Sequence, residues 1–176
     1  SYDVAGKFAT PAVNGGGQYE FHAVCHITST HYVAGFAQPR DLYTVMEDFL
    51  ATAAAQRQAQ EMERGINLMI DTPEGHRTKK YTKIKSDFFS MHRSQRMKTI
   101  MHKHGRTQIH TAPEEHHKMG KQERFMRTVH EAANAMMEAA NLPPKYRLEA
   151  VKAAVRCNDY LGTKGNPEEY SPRSMR

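Results

Sequence analysis

The order of apolar patterns along the chain is the feature that most restricts its fold. Segments with the two-residue alternation of β-strands come first, at about residues 1–4, 19–27 and 32–36. Segments with helical periodicity then alternate with short strands. The predicted order is three strands, a helix, a strand, a helix, a strand and two helices. An antiparallel meander followed by alternating helices and strands predicts an α/β fold with a mixed sheet flanked by helices.

Breaks in the apolar pattern give approximate bounds for the later elements. Gly105 and the Leu142-Pro143-Pro144 segment are typical helix ends. We assign residues 1–161 to one domain and residues 162–176, with two prolines and mixed charges, to a flexible tail or linker. The elements predicted after the meander are a helix from Asp41 to about Arg64, a strand Tyr81–Asp87, a helix His92–His104, a strand Gln108–Thr111, a long helix Met119–Asn141 and a last helix. The long helix has a predicted buried stripe that includes Met126, Val129, Ala133 and Met136. The last helix is predicted to bury Leu148, Val151 and Val155.

Composition excludes several classes of protein. No run of 18 apolar residues exists among the 176, so we expect no membrane-spanning helix. The two cysteines, Cys25 and Cys157, are too few for a disulfide framework or a four-cysteine zinc site, which favours an intracellular setting. The net charge of +6 favours a polyanionic partner but selects no particular one. A start without Met and without an apolar leader suggests a piece of a longer chain.

Three acidic residues stand where metal-dependent phosphoryl transfer needs them. Asp3 lies in the first predicted strand, Asp87 ends the strand that begins at Tyr81, and Glu123 falls in the first turns of the long helix. Carboxylates at such positions are aimed by rigid elements and suit Mg²⁺. The interval of 35 residues between Asp87 and Glu123 is weak by itself, because the chain has 19 acidic residues. Asp71 is a spare candidate whose context predicts a turn.

The residues around this interval carry a resemblance to a known family. In order after Asp87 they are His104-Gly105, Thr111-Ala112-Pro113, Gly120, Arg124-Phe125-Met126-Arg127-Thr128, Leu142-Pro143 and Glu149-Ala150-Val151. The chain here resembles the catalytic core of retroviral-type integrases, and most of all that of copia-type LTR retrotransposons. The resemblance covers most of the chain and is specific in its second half. Looser matches in the first half are Tyr2-Asp3-Val4-Ala5-Gly6 and the strand-like segment Thr30–Phe36.

The resemblance implies an RNase H-like fold with a five-stranded mixed sheet. It also implies two Mg²⁺ (or Mn²⁺) ions held by Asp3, Asp87 and Glu123. One ion would activate the attacking oxygen and the other would stabilise the leaving oxygen of an in-line displacement. The implied function is a DNA integrase that processes the 3′ ends of a retroelement and joins them to target DNA. Such cores work as dimers or larger homo-oligomers, in the nucleus after a cytoplasmic particle stage.

Departures from the family pattern leave two alternatives open. The family usually follows its second Asp with Asn-Gly-Gly-Glu-Phe, whereas this chain has Phe88–His92 there. The 83 residues between Asp3 and Asp87 exceed the usual interval, and we place an insertion near Ile66–Thr82. The chain could therefore be a catalytically degenerate or domesticated core that serves as a DNA-binding or multimerisation module. It could also be another RNase H-like nuclease or transposase.

Two further patterns have a functional and an ordinary interpretation. Lys121, Arg124 and Arg127 cluster around Glu123 and would contact DNA phosphates, although such residues also form ordinary solvated helix faces. His22 and His26 have a spacing seen in zinc sites, but no Cys-x₂-Cys pair accompanies them. We therefore favour a half-buried strand for these histidines over a zinc site.

Overall fold

Three strands near the start of the chain form an antiparallel sheet. The computed structural model describes residues 1–13, 15–25, 30–63, 82–86, 93–110, 120–161 and 171. Strand β1 (Tyr2–Gly6) pairs with β2 (Tyr19–Val24), which pairs on its other side with β3 (His31–Phe36). Across these pairs Asp3 faces His22, and His22 faces Val33. The predicted meander is confirmed.

A second sheet contains two parallel strands. Strand β4 (Thr82–Ser86) pairs with β5 (Arg106–His110) in the register that sets Ser86 opposite His110. Helix α2 (Gln95–Lys103) connects the two strands, and the Ser94 hydroxyl accepts a hydrogen bond from the Met97 amide at its start. A crossover through a helix is the usual way to join parallel neighbours.

The prediction of one five-stranded mixed sheet is wrong for the described residues, because their backbone hydrogen bonds form a sheet of three strands and a sheet of two. The two sheets meet at β1 and β4, whose described residues share no backbone ladder. Side chains bridge this boundary: Gln108 Nε2 donates to Tyr2 Oη at 2.8 Å and to Ser86 Oγ at 3.1 Å. A strand pattern in a sequence predicts strands, but it does not predict which edges form a backbone ladder.

Helices cover both faces of the three-stranded sheet. The remaining helices are α1 (Leu42–Glu63), α3 (Gly120–Ala139) and α4 (Arg147–Tyr160), with single 3₁₀ turns at Pro39–Asp41 and Pro144–Tyr146. The helices and strands predicted after the meander are thus all present, and their bounds differ from the predicted ones by at most three residues. The observed architecture is α/β.

The first core lies between one face of the sheet, α1 and α2. Alternation along β2 sends the Phe21 side chain into this core, where its ring lies 5.5 Å from that of Tyr2 and 5.5 Å from that of Phe49. Burial of such aromatic and aliphatic surface is the main stabilising contribution of this face. The other buried members are Ala23 and Phe36 of the sheet, Leu42, Val45, Met46 and Leu50 of α1, and Met97, Ile100 and Met101 of α2.

The second core lies between the opposite face of the sheet, α3 and α4, and its buried residues are small. They are Val129, Ala133, Ala150, Val151, Ala154 and Val155, with Val33 of β3 packed against them. Gly35 belongs to this face, and a Cβ there would collide with the Leu148 side chain and the Gly16 carbonyl. The absence of side-chain bulk at Gly35 therefore permits the close approach of α4 to the sheet.

The predicted stripe of α3 is confirmed at Val129 and Ala133 and wrong at Met136. Met136 is exposed, and Met137 packs against the second core in its place. The reason is that the packed row follows Phe125, Val129, Ala133 and Met137, which are spaced by four residues and covered by α4. The predicted burial of Leu148, Val151 and Val155 in α4 is confirmed.

The far end of the chain is only partly described. Residues 162–170 and 172–176 lie outside the described residues, so the division into a core at 1–161 and a tail at 162–176 stays a prediction. Within the described part of the chain, no helix has the length and apolar character needed to cross a membrane.

Candidate functional site

Glu20 is a buried carboxylate in the middle of β2. Its neighbour Phe21 points into the first core, so the alternation of the strand sends Glu20 to the face that α3 and α4 cover. The residue is 1% exposed. A charge at such a depth is costly unless it is paired and hydrogen-bonded. The partners of Glu20 therefore decide what this site can do.

Three side chains from three elements surround the Glu20 carboxylate. His22 Nε2 of β2 and His130 Nε2 of α3 lie 3.2 Å and 3.0 Å from Oε2, and Arg147 Nε of α4 donates to Oε1 at 2.9 Å. An ionised carboxylate only accepts, so both imidazoles donate through Nε2 in this arrangement. The cluster of Glu20, His22, His130 and Arg147, called here the Glu20 cluster, thus connects β2 to both covering helices.

The partners of Glu20 keep its carboxylate ionised. Burial would by itself raise the pKa of Glu20, but the hydrogen bonds from His130 and His22 and the positive charge of Arg147 outweigh it. Together they hold the pKa of Glu20 well below its ordinary value. The cluster therefore contains a carboxylate that offers lone pairs at all physiological pH values.

Three members of the Glu20 cluster could hold a metal ion. One carboxylate oxygen of Glu20 and one ring nitrogen each of His22 and His130 all lie within 4.8 Å of one another. The two imidazole rings are nearly perpendicular, with their centroids 5.2 Å apart. His22 is buried, whereas His130 is 29% exposed and gives the cluster its open side. The partner of His22 is thus His130 from α3, while the pairing with His26 lies outside the described residues.

The sequence contained only part of the signal for this cluster. Glu20 and His22 stand two apart in a predicted strand, which places both side chains on one face. A Glu and a His on the same buried face already suggest a polar site. His130 and Arg147 are more than 100 residues further along the chain, and only the packing of α3 and α4 on β2 brings them together.

Two of the three predicted catalytic carboxylates, Asp3 and Glu123, belong to described elements. Asp3 of β1 is half-buried on the same sheet face as His22, and its Oδ1 accepts a hydrogen bond of 2.7 Å from the Val4 amide. Glu123 is exposed in the first turn of α3. Asp87 lies outside the described residues and follows Ser86, the buried last residue of β4, in the sequence. The trio as a whole, and the two Mg²⁺ (or Mn²⁺) ions assigned to it, therefore stay a prediction.

The start of α3 is attached to the sheet by a buried amide. Gln122 Oε1 accepts from Ser1 Oγ at 3.1 Å, and Gln122 Nε2 donates to the His22 carbonyl at 3.2 Å. Gln122 is fully buried, so these bonds satisfy an amide that would otherwise be costly. They hold the first turn of α3, which carries Glu123, against the ends of β1 and β2.

The basic residues predicted to contact DNA lie on the same helix. Arg124 and Arg127 are exposed, and Lys121 is half-buried beside the sheet. The ring of His31 in β3 is nearly parallel to that of Phe125 on the same helix. Among the described residues, neither of its ring nitrogens has a hydrogen-bond partner. Burial is the main cause that lowers the pKa of His31 to about 2, and the positive charge of Lys121 adds to it. His31 is thus a neutral, buried imidazole.

The arrangement offers two kinds of chemistry. The Glu20 cluster combines imidazole nitrogens with a carboxylate, whereas the first turn of α3 presents an exposed carboxylate among cations. A scan of the chain against protein-family models and a search of curated proteins each return no match. Assignment of function therefore depends on the geometry and on the sequence resemblance.

Proposed function

We propose that the chain is the core of an integrase-type polynucleotidyl transferase with an RNase H-like arrangement. Asp3, Asp87 and Glu123 hold two Mg²⁺ (or Mn²⁺) ions. The substrates are the DNA ends of a retroelement and a target DNA. The reaction trims the 3′ ends with water and then joins each 3′-hydroxyl to a target phosphate.

One observation carries this proposal. Tyr2, Ser86 and Gln122 are fully buried, and each immediately precedes one of the three carboxylates in the sequence. Gln108 bridges Tyr2 and Ser86, which connects the start of β1 to the end of β4. Gln122 in turn bonds Ser1, the residue before Tyr2. Side-chain contacts thus connect the segments that precede the three carboxylates in the sequence, which supports the proposal.

The face on which Asp3 lies supports the same proposal. Asp3 stands opposite His22, on the sheet face that α3 covers, and Glu123 belongs to the first turn of that helix. Three carboxylates supply only hard oxygen ligands, which fit Mg²⁺ better than nitrogen or sulfur would. When bound, the ions supply Lewis-acid activation of the attacking oxygen and stabilisation of the leaving oxygen. The carboxylates bind and orient the ions.

The basic residues of α3 have a binding role in this proposal. Arg124 and Arg127 are exposed beside Glu123, and Lys121 precedes it by two residues. Cations at these points would neutralise backbone phosphates and would hold the DNA strand over the carboxylates without reading its sequence. Cores of this type act on two DNA ends together, so we include a homo-oligomer of at least two chains, acting in the nucleus after a cytoplasmic particle stage.

The test is a strand-transfer assay on the full-length protein, with Glu123→Gln compared to wild type in Mg²⁺ and in Mn²⁺. Glu131→Gln is the matched control, because Glu131 is also exposed on α3, eight residues further along the helix. We expect joining to vanish in Glu123→Gln and to persist in Glu131→Gln, with equal helix content by circular dichroism. Equal joining by Glu123→Gln and wild type would overturn the proposal.

A second candidate is a non-catalytic DNA-binding or multimerisation module. The observation that favours it is the Phe88–His92 segment, which stands where the family has Asn-Gly-Gly-Glu-Phe. This candidate predicts DNA binding without joining in either metal, from wild type and variant alike. Cleavage without joining would point to the other alternative, an RNase H-like nuclease.

A further inference from the structure

We propose that Glu20, His22 and His130 form a binding site for a transition-metal dication of the zinc class, which cross-links β2 to α3. Its ligands differ from the three carboxylates proposed for catalysis, and one of them, His22, faces Asp3 across the sheet. Its donors are two imidazole nitrogens and one carboxylate oxygen, a set that suits Zn²⁺, Co²⁺ or Ni²⁺ and does not suit Mg²⁺.

The two distances from the carboxylate to the imidazoles are close to those between ligands of a tetrahedral ion. Ligand atoms at bond lengths of about 2.0–2.1 Å from zinc lie about 3.3 Å from one another. The distances from Glu20 Oε2 to the Nε2 atoms of His22 and His130 are 3.2 Å and 3.0 Å. All three donor atoms lie within 4.8 Å of one another. An ion could therefore replace the two hydrogen bonds after small side-chain movements.

Arg147 is in a position to orient the carboxylate for this role. Its Nε donates to Oε1 of Glu20, whereas both histidines approach Oε2. One oxygen is thus held by the guanidinium and the other is left for an ion, as is common for carboxylates that bind metals through one oxygen. The guanidinium also adds a positive charge near the ion. We therefore assign the fourth coordination position to an anionic ligand, such as hydroxide or chloride.

The exposed side of the cluster is the side from which an ion and its fourth ligand would bind. Glu20 and His22 are each 1% exposed, whereas His130 is 29% exposed. Of the three metal donors, His130 is thus the one whose side chain contacts solvent. His130 stands seven residues, about two helical turns, after Glu123. An ion here would fix the position of α3, and with it that of Glu123, relative to the sheet.

The test measures metal binding directly and does not depend on catalysis. The untagged full-length protein is stripped with a chelator, and Zn²⁺ binding is followed by titration calorimetry while Co²⁺ binding is followed by the visible absorption of tetrahedral cobalt. The variant is His130→Ala, and His130→Cys is the variant that retains a ligand. His102→Ala is the matched control, because His102 is exposed on α2 away from the cluster.

We expect one Zn²⁺ per wild-type chain, a rise in the thermal midpoint on binding, and a loss of about 100-fold or more in affinity in His130→Ala. His130→Cys should restore binding and add thiolate-to-cobalt absorption, whereas His102→Ala should bind as wild type does. Absence of binding in wild type, or equal binding by wild type and His130→Ala, would overturn the proposal. The sequence also contains two adjacent histidines, His116 and His117. Loss of binding only in a His116→Ala/His117→Ala double variant would overturn the proposal as well, since the zinc would then bind there. Failure of the strand-transfer assay leaves these readouts unaffected, so the two proposals fail separately.

Discussion

Arg147 and Glu20 form an ion pair that joins helix α4 to the middle strand of the sheet. The Nε–Oε1 distance is 2.9 Å, Glu20 is 1% exposed and Arg147 is 19% exposed. The guanidinium carbon of Arg147 also lies over the Phe8 ring at 3.1 Å from its centroid. The Glu20 end of the pair is thus buried, so its charge is stabilised by side-chain partners and not by bulk water.

The first prediction follows from that burial. Arg147→Met should lower the free energy of unfolding by about 3 kcal/mol, because it leaves the Glu20 charge buried with one partner fewer. The measurement is urea unfolding followed by circular dichroism. The control is Lys152→Met, since Lys152 forms an exposed ion pair with Glu149 on the same helix and should cost less than about 0.5 kcal/mol. Equal losses in the two variants would contradict a special role for the buried pair.

The second prediction concerns acid sensitivity. Burial lowers the pKa of His31 to about 2, so between that pH and about 6.5 the unfolded chain binds a proton at this residue that the folded chain does not. His31 therefore does not lower the free energy of unfolding above about pH 6.5. Below that value the free energy of unfolding falls by up to about 1.4 kcal/mol per pH unit. At pH 5 the loss in the free energy of unfolding that is due to His31 reaches about 2 kcal/mol.

The measurement for this prediction is the free energy of unfolding at pH 7 and at pH 5 in wild type, His31→Phe and His102→Asn. His31→Phe keeps a ring against Phe125 and removes the titrating group, so its loss between the two pH values should be smaller by about 2 kcal/mol. His102→Asn replaces an exposed histidine and should behave as wild type does. Glu20 contributes in a lower window: its depressed pKa gives stability that is present above about pH 4.5 and is lost below that value. An identical pH dependence in wild type and His31→Phe would contradict the assignment.

The third prediction concerns the packing of α4 on the sheet. Gly35→Ala would push a methyl group into the Gly16 carbonyl and the Leu148 side chain. The backbone of Gly16 cannot move away as easily as a side chain, so we expect a loss of about 2 kcal/mol or more in the free energy of unfolding. Gly120→Ala is the control, because a Cβ there meets only the Arg124 guanidinium, at 3.9 Å. A thermal midpoint of Gly35→Ala equal to that of Gly120→Ala would contradict the predicted clash.

The sequence predicts the local elements well because each depends on a short apolar period. The alternation of β2 and the spacing of Val151 and Val155 in α4 are readable without any partner. The division of the described strands into two sheets is not readable from these patterns, because the apolar period of a strand does not specify which edge it pairs with. Strand pairing at an edge is a tertiary property.

The candidate site likewise follows only in part from the sequence. Glu20 and His22 share a face by strand geometry, so half of the cluster follows from the sequence. His130 and Arg147 join them through helix packing, for which the sequence contains no short-range signal. The displacement of the α3 stripe from Met136 to Met137 has the same origin, because the neighbouring helix selects which row of side chains is buried.

The last prediction tests whether the cations of α3 bind nucleic acid, which is the step common to the catalytic and the non-catalytic proposals. Binding of a labelled DNA duplex is measured by fluorescence anisotropy over a range of salt concentrations. Removal of one cation that neutralises a phosphate should reduce the slope of log K against log salt by about 0.9, so Lys121→Gln/Arg127→Gln should reduce it by about 1.8. The control is Lys98→Gln, a charge removed from the exposed face of α2. Since these cations would bind the DNA backbone, the weakening should be the same on duplexes of unrelated sequence. A slope that is unchanged in the double variant would reject α3 as the DNA-binding face, and a change confined to one duplex sequence would mean that these side chains contact bases.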